Sequence, residues 1–84
     1  MATNDKTKEA SFGFSPVQDR DTLAVKAGCD SLLALSQAGA LEEGVKELLS
    51  DSVGVGGLGP NTAYLCAFAM DAAFALRTAA NAVA

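Results

Sequence analysis

The strongest hydrophobic pattern in the chain lies toward its C-terminal end. At ~100° per residue, Tyr64, Asp71, Arg77, Thr78 and Asn81 gather in one wedge, while Leu65, Phe68, Ala69, Ala72, Leu76 and Val83 occupy the other side, which predicts a helix over Asn61 to Ala84. Phe74 falls inside the polar wedge, next to Ala67. Two weaker patterns precede it. The first predicts a helix under way by Thr22 and running to about Gln37, with Lys26, Asp30 and Gln37 on a polar line that includes Leu33, and Ala24, Gly28, Ser31, Leu32 and Leu35 opposite. The second, from about Leu41 to Ser52, buries Leu41, Val45, Leu48 and Leu49 and exposes Glu42, Glu43, Lys46 and Glu47. Between them the apolar phase slips by roughly a third of a turn. That places a break at Ala38-Gly39-Ala40, with Gly39 as the left-handed residue closing the first helix. A single bent helix from Asp21 to Val53 is the alternative, since Ala-rich junctions stay helical.

Before these helices, Phe12 and Phe14 share one side of an extended segment, as in a short strap packed onto helices. Ser15-Pro16-Val17-Gln18 reads as a capping box with proline at the first helical position, and Asp19 and Asp21 offer a second start. Residues 1–11 read as a flexible tail, because Met1 to Ala10 holds nothing to bury, and residues 12–84 as a single helical domain. The glycine-rich stretch Gly54 to Gly59 is a connection, after which Pro60 opens the last helix. The expected fold is all-α: a short helical bundle or helical hairpin of three helices with an N-terminal extended strap, completed by oligomerisation. Leu65, Phe68, Ala72 and Leu76, with Tyr64 and Phe74 as aromatic contact anchors, form the expected interface.

Composition sharpens that picture. A chain of 84 residues buries only ~60% of its unfolded surface, so self-association is a natural way to gain stability. Half of the residues are hydrophobic and 19% are charged, which excludes global disorder. A net charge of −4, with six basic residues spread along the chain, argues against nucleic-acid binding. No secretory pattern opens the sequence, and the apolar run Ala63 to Leu76 is broken by Asp71 and short for a bilayer. The expectation is a cytoplasmic protein without membrane contact, in which Cys29 and Cys66 are small buried hydrophobes on two helices.

Chemistry finds little support. The absence of histidine removes the commonest general base and metal ligand, and two cysteines alone make no zinc site, so we expect no enzyme, no catalytic residue, no metal and no cofactor. Gly54 to Gly59 matches G-x-G-x-x-G before a helix, but the βαβ unit of a dinucleotide site has no room here. What survives is an anion held by backbone amides around Gly56, Gly57, Gly59 and Asn61. Asp71 faces solvent in this reading.

The aromatic pair Phe12 and Phe14, the run Asp19-Arg20-Asp21-Thr22-Leu23-Ala24, the helical Leu32-Leu33 and the Ala63-Tyr64-Leu65 opening of an Ala-rich helix together resemble a family of short uncharacterised proteins of pseudomonads, a domain of unknown function. The resemblance covers most of Phe12 to Asn81. The chain departs from it in the Glu42 to Ser52 helix and in the glycine loop. The family implies a helical hairpin and supplies no activity, so no functional residue follows from it. Three functions are open at this point: a homo-oligomer that binds another protein stoichiometrically, a phage or mobile-element inhibitor of a bacterial defence system or enzyme, of anti-CRISPR-like kind, and a sponge for nucleotides or other anions at the glycine loop.

Overall fold

The computed structural model describes residues 5–81. Its order is β1 (Ala10–Ser15), β2 (Arg20–Val25), α1 (Ser31–Val53) and α2 (Pro60–Asn81). The all-α, three-helix expectation is therefore wrong: a two-stranded antiparallel hairpin precedes two long helices.

The expected strap is strand β1, and the first turns of the expected first helix are strand β2. Phe12 pairs with Leu23 and Phe14 with Asp21. The Ser15-Pro16-Val17-Gln18 motif makes the hydrogen bond a capping box implies, Gln18 N–H donating to Ser15 Oγ at 3.4 Å. The chain then turns back instead of winding onward, because Asp19 takes a left-handed conformation (φ 54), one that aspartate tolerates better than most residues. Gly13 also has positive φ, and a Cβ there would lie 3.3 Å from Thr22 Oγ1. That hydroxyl donates to the Gly13 carbonyl, so glycine is what lets the strands close.

Part of the segment read as a flexible tail is tied down. Thr7 is buried. Its N–H donates to the Cys29 carbonyl and its carbonyl accepts from Gly28 N–H; its hydroxyl donates to the Lys26 carbonyl at 2.6 Å and accepts from Cys29 N–H. On either side, the Asp5 carbonyl accepts from Ser31 N–H, and Lys8 N–H donates to the Ala79 carbonyl near the end of α2. Met1 to Asn4 of the expected tail, and Val83 of the expected apolar face, lie outside the described residues.

Helix α1 begins at Ser31, not Thr22. Asp30 is its N-cap, with Oδ1 accepting from Leu32 N–H at 3.0 Å. Cys29 accordingly sits in the turn before the helix, exposed, while Cys66 is buried on α2. The expected break at Ala38-Gly39-Ala40 does not occur, and α1 is continuous from Ser31 to Val53. The reason lies in which residues face α2. Ser31, Ala34, Ala38, Leu41, Val45, Leu48 and Ser52 recur at alternating spacings of three and four, as do Thr62, Cys66, Ala69, Ala73, Leu76 and Ala80 on α2, the seam period of packed helix pairs. Small residues such as Ala34, Ala38 and Ala73 let the two backbones approach, while Leu32 and Leu33 are left exposed. Ala38, Ala73 and Ala80 are fully buried while Leu32 is 72% exposed. No phase slip exists once alanine, rather than leucine, marks the buried side.

The β-hairpin rests on a second row of α2. Phe12 meets Phe68 edge to face, ring centroids 5.8 Å apart, and Ala75 and Ala79 are buried beneath. Among the described residues the buried hydrophobic core contains nothing larger than Val45.

Candidate functional site: an apolar trough between the helices and the hairpin

Because α1 and the hairpin pack against different sides of α2, a trough is left between them with α2 at its base. One end is a cavity of about 370 Å³ bounded by Phe12 and Ala24 of the hairpin, Leu33 and Gln37 of α1, and Ala72 and Leu76 of α2. A second cavity of about 250 Å³ is bounded by Leu41, Gly44 and Leu48 of α1 and by Leu65 and Ala69 of α2. The two lie on the same face. Leu65, Ala69, Ala72 and Leu76 form one row on α2, and Leu33, Gln37, Leu41, Gly44 and Leu48 one row on α1. From Leu33 to Leu48 the trough is about 22 Å long. Leu48 also borders a third cavity at the glycine loop.

Neither row contains a charged residue. Charges stand only at the ends, Lys26 and Asp30 near the hairpin and Asp51 near the loop. The opposite face is different in kind. There Arg77 makes a bidentate pair with Glu42, Nε to Oε2 at 2.8 Å and Nη2 to Oε1 at 2.6 Å, joining the helices across their outer side. The Arg77 hydrogen bond, opposed by desolvation and aided by the Arg77 charge, holds the Glu42 carboxyl below its ordinary value, and Glu42 in turn raises Arg77.

The six expected interface residues therefore divide. Leu65, Ala72 and Leu76 share the trough, with Leu65 57% exposed. Phe68 is half-buried under Phe12. Tyr64 borders a separate small cavity with Phe14, Thr22 and Asp71, and Phe74 stands exposed. Asp71 is exposed as well. Sequence reasoning missed the α1 wall of the trough, because it placed Leu33 on a polar line and Leu41 and Leu48 in the core. Gly44 lies on that wall, but Gly39 is an equally unneeded glycine of α1 off the trough, so glycine position alone did not reveal it.

The glycine loop does not gather its expected residues. Gly57 and Gly59 border the third cavity beside the Asp51 side chain; Gly56 and Asn61 do not. Gly57 N–H already donates to the Ser52 carbonyl, and the Gly59 carbonyl accepts from Ala63 N–H as the first bond of α2. Among the described residues no group of three His, Cys, Asp or Glu side chains could hold a metal ion. Helix α2 has the length and mean hydropathy of a membrane span, with Asp71 and Arg77 both inside it.

No family model, no curated protein and no solved structure matches this chain.

Proposed function

We propose that this protein acts without chemistry, as a stoichiometric protein-binding module in the cytoplasm, and that the trough is the surface it binds with. The observation that carries this reading is the inversion of the hydrophobic pattern. Alanines fill the core while Leu33, Leu48 and Leu65 remain 56%, 40% and 57% exposed along one face whose charges stand only at its ends. Exposed large apolar residues that line up on one face mark an interaction surface, unlike the same residues scattered singly. At about 22 Å the trough is long enough to take a helix of about four turns, read by anchors spaced three and four residues apart. Its walls are mainly leucine and alanine, with Lys26, Cys29 and Asp30 gathered only at the hairpin end. Binding of anions at the loop is less well supported, since Asp51 opposes them and Gly57 N–H is engaged.

The test is site-specific photo-cross-linking in expressing cells. A benzophenone side chain replacing Leu65 should trap a polypeptide, and the same group at Val17, on the hairpin turn, should trap none. Equal trapping at both positions, or none at either, refutes the reading.

A further inference from the structure

On the hairpin side of α2, outside the trough, lies a smaller cavity of about 190 Å³. Of the four phenylalanines and the single tyrosine in the chain, Phe14, Tyr64 and Phe68 border it, together with Thr22, Ala67 and Asp71. Helix periodicity accounts for the arrangement on α2. Tyr64, Ala67 and Asp71 follow at spacings of three and four on one face, so the positions of the ring and the carboxylate are two turns, about 10 Å, apart. Ala67 between them is too short to fill the gap, and β1 closes it from the other side with Phe14.

The electrostatics of this cavity are one-sided. Among the described residues Asp71 has no hydrogen-bond or ion-pair partner. Arg77, the one cation of α2, is taken by Glu42, and Arg20 of the hairpin does not border the cavity. Asp21 stands opposite Phe14 in the strand register, on the same side of the hairpin, and adds negative potential. Aromatic rings attract ligands of the same sign through their quadrupoles. Rings and carboxylate thus favour a cation, and the chain itself brings none to them.

Which cation follows from the acceptors and the size. Asp71 offers two oxygens, and the Thr22 hydroxyl, whose proton goes to the Gly13 carbonyl, is left to accept. An ammonium is a compact, strongly hydrated point charge, whereas a guanidinium is planar and weakly hydrated, stacks on rings and forks onto a carboxylate. The volume lies below the ~300 Å³ at which sites for whole drug-sized ligands begin. It holds a head group and leaves the carrier outside, as with a side chain on a polypeptide.

We propose that this cavity binds the guanidinium of an arginine side chain on another polypeptide, with Asp71 pairing to it and Tyr64 and Phe14 flanking it. The site lies off the trough and goes beyond the reading above, so neither depends on the other.

Amide NMR of the full chain, titrated with N-acetylargininamide at low salt, tests this. Saturable shifts should appear around Gly13, Thr22, Tyr64 and Asp71, with a dissociation constant in the millimolar range, since a head group alone gains one exposed charge pair and its ring contacts. N-acetyllysinamide should bind more weakly, and N-acetylcitrullinamide, of the same shape without the charge, should not bind. Asp71→Asn and Tyr64→Leu, both at exposed positions, should keep the helical circular dichroism and weaken binding about tenfold and about threefold. Glu43→Gln, which removes an equal charge from α1, should change nothing. The proposal is overturned by the absence of saturable shifts, by shifts spread over the acidic groups of the whole surface, by equal binding of the lysine or citrulline analogue, by unchanged binding in Asp71→Asn, or by an equal loss in Glu43→Gln. Free arginine should bind no better than its capped form. Markedly tighter binding of the free amino acid overturns the polypeptide as the source.

Discussion

Replacing Ala38 by leucine should damage this protein far more than replacing Leu32 by alanine, the reverse of what side-chain size suggests. Ala38 is fully buried on the seam with α2, where three added carbons have no space and must push the helices apart. Overpacking of that kind costs about 1–3 kcal/mol. Leu32 is 72% exposed on the outer side of α1. Only about a quarter of the ~2 kcal/mol gained by full burial of a leucine is at stake there, and the higher helix propensity of alanine offsets part of it. The net effect of Leu32→Ala should lie within about 0.5 kcal/mol of neutral. For a domain of this size each kcal/mol moves the melting temperature by about 4–8 °C, so far-UV circular dichroism melts at one fixed protein concentration separate the two variants readily. Should Ala38→Leu melt like the wild type and Leu32→Ala lose more than ~2 kcal/mol, the seam is not built from small residues and the face assignment collapses.

Thr7→Val removes a buried hydroxyl that both donates and accepts, leaving the Cys29 N–H and Lys26 carbonyl without it; the expected loss in a urea melt is about 1–3 kcal/mol, with Thr7→Ser recovering part. Because Arg77 lowers the Glu42 pKa in the folded state, the stabilisation from that pair is present above the ordinary value of 4.5 and is lost as the pH falls through the lower folded value. Melts of wild type and Glu42→Gln should therefore differ near neutral pH and converge in acid; a constant difference rules the linkage out. A thiol reagent should label one cysteine quickly, Cys29, and reach Cys66 only as the protein opens, which peptide mapping of the labelled chain checks.

How much of this was readable from the chain depended on whether local chemistry alone decided the outcome. Pro60 marked the start of α2 correctly, since Gly59 and Pro60 need no tertiary help to begin a helix. The sequence places a helix under way by Thr22, yet Thr22, Leu23 and Val25, β-branched or apolar, suit a strand once Phe12 lies opposite Leu23. The residues of β2, Arg20–Val25, serve either period, and the pairing partner chose. The capping-box motif misled for a related reason, since Ser15 Oγ accepts from Gln18 N–H in a turn as readily as at a helix start. Of the trough, Leu65, Ala72 and Leu76 were legible because α2 carries a long regular stripe. Its α1 wall was not, because ranking positions by hydrophobic size hides a seam made of Ser31, Ala34 and Ala38.

The clip formed by Asp5 to Lys8 has a consequence for the order of events in folding. The β-hairpin and the helix pair each close through a short loop, and such local closures take microseconds. The bond from Lys8 to Ala79 spans nearly the whole sequence and that from Asp5 to Ser31 reaches over the hairpin to the start of α1, so their loop-closure entropy is met only after both halves exist. What closes last opens first under native conditions. The amides of Thr7, Lys8, Gly28, Cys29 and Ser31, held only by this clip, should exchange with deuterium as one cooperative unit, faster than Ala38 or Ala73 in the seam. The protein then breathes at the junction of its two halves while each half stays folded.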